Sequence, residues 1–235
     1  MNKDNDPMGH AVKDYFENGT SARLFVRSDI CDTDEIPVSW LYRTYSEMPV
    51  VEQQAIELCR GDVLDVGAAA GAHTVELIKR GFCVTSVDLS EMAVEILKCR
   101  GAGNAKCIDF FDLSEKQKFD TLLFLMNGAG LAGDLNGLEI LLQKCRRLLR
   151  PGGQILMDSS DITYLFDRSD MLPEYYYGEV EYQMIYNNIF SDPFKWLFVD
   201  YIRLEKQAEA AGFSCERIIG GQDNSYLAKL EFRIG

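Results

Sequence analysis

Between residues 62 and 157 the chain alternates short runs of β-branched and large apolar residues with amphipathic stretches of helical period. The pattern predicts strands over 62–66, 82–87, 105–109, 121–126 and 154–157, with helices over 72–80, 91–100 and 135–149 between them. Strands that alternate with helices must run parallel, because each helix carries the chain back to the starting edge and covers a face of the sheet. The expected fold class is therefore α/β, a doubly wound Rossmann-like sheet. Ser90 is a good N-cap for the second helix, with Glu91 well placed against its dipole. In the third, Leu138, Leu141, Leu142, Cys145, Leu148 and Leu149 fall on one face, and Pro151-Gly152-Gly153 stops it. Only nine residues, 110–118, join the third strand to the fourth. A crossing of three strand spacings and a return along one strand needs about 22 Å. Nine extended residues reach about 30 Å, so the crossover needs no full helix.

The flanks read differently. Residues 1–61 are expected to form an N-terminal helical cap, with helices over 8–18 closing at Gly19, over 38–47, and over 50–59 running into Arg60-Gly61. The boundary at 61/62 opens the main domain, which extends to 235. An insertion at about 162–199 contains EVEYQMIY and FKWLFV, which predict a β-hairpin. Ten of the 26 aromatic residues lie between Tyr175 and Tyr201. A helix over 201–211 and strands over 213–219 and 226–232 close the chain as an antiparallel hairpin, so the expected sheet is mostly parallel with one antiparallel C-terminal strand.

Charge and composition exclude several functions. With 24 Lys and Arg against 37 Asp and Glu, the net charge is −13, so a nucleic-acid surface would require a local basic stripe. The densest basic cluster, Lys144, Arg146, Arg147 and Arg150, falls at the end of a predicted helix, where cations suit the helix dipole. No apolar stretch approaches the roughly 18 residues of a membrane span, and MNKDNDPMGH has no signal-peptide core, so a cytoplasmic protein is expected. Seven cysteines without zinc or redox spacing are expected to be reduced, packed thiols, and no metal site is expected.

The stretch Val63-Leu64-Asp65-Val66-Gly67-Ala68-Ala69-Ala70-Gly71 runs a strand into small residues before a helix, which brings backbone close to a ligand. A dinucleotide fingerprint starting at Gly67 would need glycine at 69 and 72, where alanine stands, so pyrophosphate binding is disfavoured. Asp88 lies 21 residues after Gly67, the interval at which an acid meets a ribose diol. A nucleoside ligand without a pyrophosphate is the reading that remains.

That constellation resembles the class I S-adenosylmethionine-dependent methyltransferases. VLDVGAAAGAHT is similar to their first motif, with Ala69 where glycine is commoner, and VTSVDLS to the ribose-binding motif. KCIDFFDL resembles the adenine-binding turn, FDTLLFLMNG the fourth-strand motif, and LLRPGGQILM the approach to the fifth strand. The nearest flavour is that of small bacterial enzymes related to quinone biosynthesis. The resemblance implies that Asp65 and the turn Gly67, Ala68, Ala69 and Gly71 border the methionine part of S-adenosyl-L-methionine. Asp88 would hold the ribose, Leu89 would pack at the adenine, Asp109 would accept from its amino group, and Phe110 would bound that pocket. Asn127 and Gly128 would line the cleft near the sulfonium, and Arg43, with Tyr42 and Tyr45 beside it, would meet the methionine carboxylate.

Methyl transfer from a sulfonium is an in-line displacement in which orientation does most of the work, and a base is needed only for a protonated acceptor. Asp158 and Asp161 are the candidate catalytic residues. Ser159 and Ser160 between them are candidates for contact with the substrate, although turn formation explains this polar cluster equally well. The aromatic segment, Tyr177 included, is a candidate substrate lid. His73 reads better as a structural imidazole, and His10 as uninvolved. Asn127-Gly128-Ala129-Gly130 lacks the Pro-Pro-aromatic signature of DNA amino-methylating enzymes, so a small-molecule acceptor is expected. The alternatives are a non-catalytic cofactor-binding module and, disfavoured by the missing glycines, a nucleotide-dependent oxidoreductase.

Overall fold

The computed structural model describes residues 5–20, 22–166, 176–222 and 224–232. Residues 167–175 of the expected insertion, including Tyr175, lie outside them. Helix α1 (Pro7–Asn18) begins on Asp6, whose carboxylate accepts the Gly9 N–H at 2.8 Å, and ends on left-handed Gly19. Strands β1 (Leu24–Ser28) and β2 (Asp34–Ile36) follow, so the segment expected to be helical also holds an antiparallel strand pair. Residues 38–47 form two 3-10 turns, Val38–Tyr42 and Tyr45–Glu47, in place of the single expected helix. The break lies at Arg43 and Thr44, both extended, because Thr44 and Glu47 form a capping box that starts the second turn afresh. Helix α2 (Val50–Leu58) completes this part.

The alternation read from the sequence then appears in order. β3 (Asp62–Val66), α3 (Ala72–Lys79), β4 (Cys83–Asp88), α4 (Glu91–Cys99) and β5 (Ala105–Cys107) lead to β6 (Phe119–Phe124), α5 (Leu135–Leu148) and β7 (Leu149–Ser160). The short connection before β6 holds a single 3-10 turn, Phe110–Asp112. β7 is longer than expected, since the chain leaves α5 directly into the strand and carries the proline–glycine stretch within it. β8 (Glu179–Tyr186), β9 (Ile189–Phe190), β10 (Phe194–Leu197), α6 (Tyr201–Ala210), β11 (Phe213–Gly220) and β12 (Ser225–Phe232) complete the chain.

The larger sheet has the order β11-β12-β7-β6-β3-β4-β5. β4 and β5 pair in parallel, as do β6 and β7, while β12 runs antiparallel to β7 and β11. This is the mostly parallel sheet with one antiparallel C-terminal strand that the sequence predicted. A smaller sheet has the order β10-β8-β1-β2, so the two runs expected to form a hairpin, in β8 and β10, are neighbours, and the short β9 between them in sequence also pairs with β8. β1 lies antiparallel against β8, from Leu24 opposite Tyr186 to Ser28 opposite Tyr182.

The chain divides into two compact units, each discontinuous in sequence, and the boundaries fall within β3, β8 and β10. The first comprises Met1–Met48, Leu64–Leu113 and Glu181–Phe194; the second comprises Pro49–Val63, Ser114–Val180 and Lys195–Gly235. The 61/62 boundary falls inside the second unit. In the first, Ala68, Val94, Leu97, Ala102 and Ala105 form one apolar cluster. In the second, the α5 stripe Leu138, Leu141, Leu142, Cys145 and Leu148 is fully buried, as its period required. The basic cluster there is matched by acids: Arg147 meets Glu115 at 2.7 Å, and Arg150 bridges Asp62 and Asp120.

Four of the seven thiols, Cys31, Cys83, Cys99 and Cys107, are exposed rather than packed, and all seven are free. Among the described residues no group of His, Cys, Asp or Glu could hold a metal ion, and no helix is long and apolar enough to cross a membrane.

Within the second unit, Gly130 lies against Trp196 so closely that a Cβ there would sit 2.1 Å from the ring. Gly130→Ala is therefore expected to destabilise the protein by about 1–3 kcal/mol, the cost of overpacking, read from the midpoint of urea unfolding.

Candidate functional site

In the first unit, β3 hands the chain to Gly67 in the left-handed region (φ 72°), and the N–H groups of Gly67 and Ala68 both donate to the Val87 carbonyl on β4. Ala69 is also left-handed (φ 45°), a conformation that costs an L-residue about 1–2 kcal/mol. Its N–H donates to Asp88 Oδ2 at 2.8 Å, and the Ser90 N–H donates to Asp88 Oδ1 at 2.8 Å. An ionised carboxylate has about four acceptor positions, so two remain for a ligand. The two glycines of the turn serve different ends. A Cβ at Gly67 would meet nothing within 4 Å, so the turn faces open space there, whereas at Gly71 it would lie 2.4 Å from Leu97 of α4. Burial raises the Asp88 carboxyl above its ordinary pKa, with the Ser90 and Ala69 N–H groups opposing.

Asp65 is buried and accepts from Thr74 Oγ1 of α3 at 2.5 Å; Thr74 also bonds Ser86 of β4 at 2.7 Å. It joins β3 to α3. His73 is buried beside it, and its influence on the Asp65 carboxyl is electrostatic. Leu89 is 45% exposed next to Asp88. Asp109 caps the Phe110–Asp112 turn through the Phe111 N–H at 2.8 Å, and Phe110 is buried.

Arg43, nine-tenths buried, opens onto a cavity of about 380 Å³ that is also lined by Tyr15, Ser39, Trp40, Tyr42 and Glu47. Sequence reasoning singled out Arg43, Tyr42 and Tyr45 but missed Tyr15, Ser39 and Trp40. Their only signal was the density of large polar-tipped rings around residue 42.

In the second unit, the end of β6 runs into two left-handed residues, Met126 (φ 65°) and Asn127 (φ 56°). The Asn127 amide is committed within the protein: Nδ2 donates to the Leu197 carbonyl and Oδ1 accepts from Ser159 Oγ, both at 3.1 Å. Ser159 Oγ also accepts the Val199 N–H at 3.0 Å, so this buried hydroxyl is a joint of the fold and is not presented to a substrate. Asp158 is buried and accepts the Gly128 N–H at 2.9 Å.

Asp161 Oδ1 accepts from Thr163 N–H (2.9 Å), Thr163 Oγ1 (2.7 Å) and Tyr177 Oη (3.0 Å). Burial raises the Asp161 carboxyl, but the Thr163 and Tyr177 hydrogen bonds outweigh it and hold the group below its ordinary pKa. Burial and the Tyr176 hydroxyl push the Tyr177 phenol well above its own, so it stays protonated at neutral pH. Ser160 is half-buried at the end of β7. Tyr176, within the aromatic segment singled out from the sequence, and Asp200, which sequence reasoning did not name, complete this group: the Asp200 N–H donates to Tyr176 Oη at 2.7 Å, and Tyr176 Oη donates to Asp200 Oδ2 at 2.9 Å.

Burial raises the Asp65 carboxyl, and His73 and Thr74 recover only part of that cost. With the folded pKa above the unfolded one, the folded state binds the extra proton, so the stability contributed by protonated Asp65 is lost as pH rises from about 4 through the folded value. Asp65→Asn keeps an acceptor for Thr74 without that charge. Its stability relative to the parent is expected to improve as pH rises from about 4 and then level off, as followed by urea unfolding at a series of pH values.

Residues 63–153 match a family model described as a methyltransferase domain. The chain is 25% identical over 130 residues to a ubiquinone biosynthesis O-methyltransferase of Histophilus somni, covering 51% of this chain and 53% of that protein. The chain thus spans about half the length of the curated relatives it matches. The sugar N-methyltransferase KedS8 from Streptoalloteichus shares the fold at 17% identity, with a TM-score of 0.59 over 88% of this chain and 97% of that one. A crystal structure of an S-adenosylmethionine-dependent methyltransferase from Bacteroides fragilis, in complex with S-adenosyl-L-homocysteine, superposes with a TM-score of 0.92. It covers 98% of this chain and 96% of its own at 41% identity. With that identity sustained over nearly the whole length of both chains, the protein belongs to the S-adenosylmethionine-dependent methyltransferases.

Proposed function

We propose that this chain transfers a methyl group from S-adenosylmethionine to a small-molecule acceptor by in-line displacement. The observation that carries the reading is the Gly67–Gly71 turn. It opens at Gly67, and the Asp88 carboxylate beside it holds two backbone N–H groups and keeps two acceptor positions for a ribose diol. The residues present suit the cofactor, which supplies a methyl group on a positively charged sulfur whose departure requires no proton.

Gly67, Ala68, Ala69 and Gly71 border its methionine part, and Asp88 orients its ribose. Leu89, Asp109 and Phe110 would bound the adenine, with Asp109 as acceptor for its amino group. Arg43 is the cation that matches the methionine carboxylate. Asp65 acts one step back, by fixing α3 behind the turn. Asn127 and Gly128 contribute through their backbone, since the Asn127 amide is engaged elsewhere.

For the acceptor we assign Asp158, Ser160, Asp161 and Tyr177. With Asp161 ionised and the Tyr177 proton donated to it, the group offers hydrogen-bond acceptor positions but no strong base. That suits an acceptor whose reacting atom is already nucleophilic and carries an N–H or O–H to be oriented. The charge of −13 and the absence of a Pro-Pro-aromatic stretch after β6 support a small molecule over nucleic acid.

Incubation with methyl-labelled cofactor and a metabolite extract, followed by mass spectrometry, is expected to yield a labelled small molecule together with S-adenosylhomocysteine. Tight cofactor binding with no product from any extract would favour a cofactor-binding module, and stabilisation by NAD(H) instead of S-adenosylhomocysteine would favour an oxidoreductase. Calorimetric titration is expected to show Asp88→Ala weakening S-adenosylhomocysteine binding by about 10- to 100-fold, the equivalent of one or two lost hydrogen bonds to a charged group. Asp161→Ala is expected to leave that affinity within about threefold while lowering kcat/KM for the acceptor.

A further inference from the structure

Arg100, the residue that ends α4, has no part in the site as read so far. Its Nη1 donates to the carbonyl of Ala70, inside the cofactor turn, while its guanidinium carbon lies 4.8 Å from the centroid of the Tyr42 ring. Tyr42 is itself fixed, since its hydroxyl donates to the Val12 carbonyl of α1 at 2.6 Å and its ring stacks on Tyr15 at 4.9 Å. All of these residues belong to the first unit. α4 therefore touches the turn at two points, with Leu97 packed under Gly71 and Arg100 holding the Ala70 oxygen.

Immediately before those points stands Ala69, left-handed at φ 45°, where glycine would adopt the same backbone freely. A left-handed alanine persists only where its surroundings over-determine it. The Ala69 N–H on Asp88 restrains the residue itself; the Arg100 contact restrains the Ala70–Gly71 peptide just beyond it. We propose that Arg100 is a positioning residue for cofactor binding: clamped between the Ala70 carbonyl and the Tyr42 ring, it holds the Gly67–Gly71 turn in its left-handed form and ties that turn to the N-terminal segment.

This rests on the cofactor reading of the turn, but it makes a claim about the protein without cofactor that is measured separately. Arg100→Met keeps a long side chain on the Tyr42 ring and removes the donor. Hydrogen exchange in the cofactor-free protein is expected to quicken about tenfold across 67–71, with the strands and α5 unchanged, as local opening predicts. Titration with S-adenosylhomocysteine is expected to give about a tenfold weaker Kd, and KM for the cofactor is expected to rise with kcat within about twofold.

Ala69→Gly removes the need for the restraint. Added to Arg100→Met, it is expected to recover most of the lost affinity, so that the two changes are strongly non-additive. Should Arg100→Met fold poorly, Arg100→Lys keeps the charge but not the planar fork, and the same exchange and titration apply to it. Unchanged exchange across 67–71, or a loss of affinity that is equally large with glycine at 69, overturns the proposal. A protein that bound no S-adenosylhomocysteine in any form would overturn the cofactor reading instead, and the exchange comparison would still decide the role of Arg100.

Discussion

The hydrogen bond from the Ala69 N–H to Asp88 joins the end of one strand to the turn after its neighbour, and the organisation of the first unit follows from it. Asp88 ends β4 and also receives the Ser90 N–H, so the same carboxylate fixes the start of α4. Ser90 caps that helix through the Ala93 N–H at 3.0 Å and donates its hydroxyl to Asp6 at 2.6 Å, and Asp6 in turn caps α1. Three chain segments distant in sequence thus meet through one run of side-chain acceptors. The run works because each acceptor satisfies helix-end or turn N–H groups that would otherwise be buried without a partner.

The second unit solves a similar problem with neutral groups. A strand that must turn sharply at its carboxyl end puts Met126 and Asn127 in left-handed backbone, and the cost is offset locally. The Asn127 amide bonds at both ends, Ser159 joins it to Val199, and the Tyr226 hydroxyl donates to the Val199 carbonyl at 2.7 Å. Residues that look like substrate ligands in a one-dimensional reading are, in part, the means by which the turn is kept. What is left to face a substrate is a smaller set, in which charge state matters: three donors converge on one oxygen of Asp161 and, against burial, hold its carboxyl below its ordinary pKa.

Legibility in the sequence followed the range of the interactions. The caps at Asp6, Ser90 and Asp134 and the glycine stop at Gly19 act within one helical turn, and the α5 stripe repeats at helical period. Ser90 and that stripe were read from composition and period alone. β1 and β2 could not be read in this way. Leu24–Ser28 is a five-residue run that pairs with the nearby β2 and, along its whole length, with Tyr182 to Tyr186 of β8, so much of what makes it a strand lies in a remote segment. The 3-10 turns at 38–47 were missed because a helical pattern of large residues conceals a capping box that restarts the chain at Thr44.

By itself, the amino-acid sequence determined the alternation that builds the main sheet, the small-residue turn at 67–71, and the placing of Asp88 at the end of the next strand. Each depends on residue type over a few positions, through β-branching, glycine freedom or helix capping. Only the tertiary structure decided that Asp65 serves the α3 joint, that Asn127 and Ser159 spend their polar atoms on the fold, and that Arg43 borders a cavity with Tyr15 and Trp40. It also decided that Arg100 reaches the Ala70 carbonyl. Hydrogen-bond partners are chosen by distance and direction in space, and residues thirty or seventy positions apart carry no local pattern that records the choice.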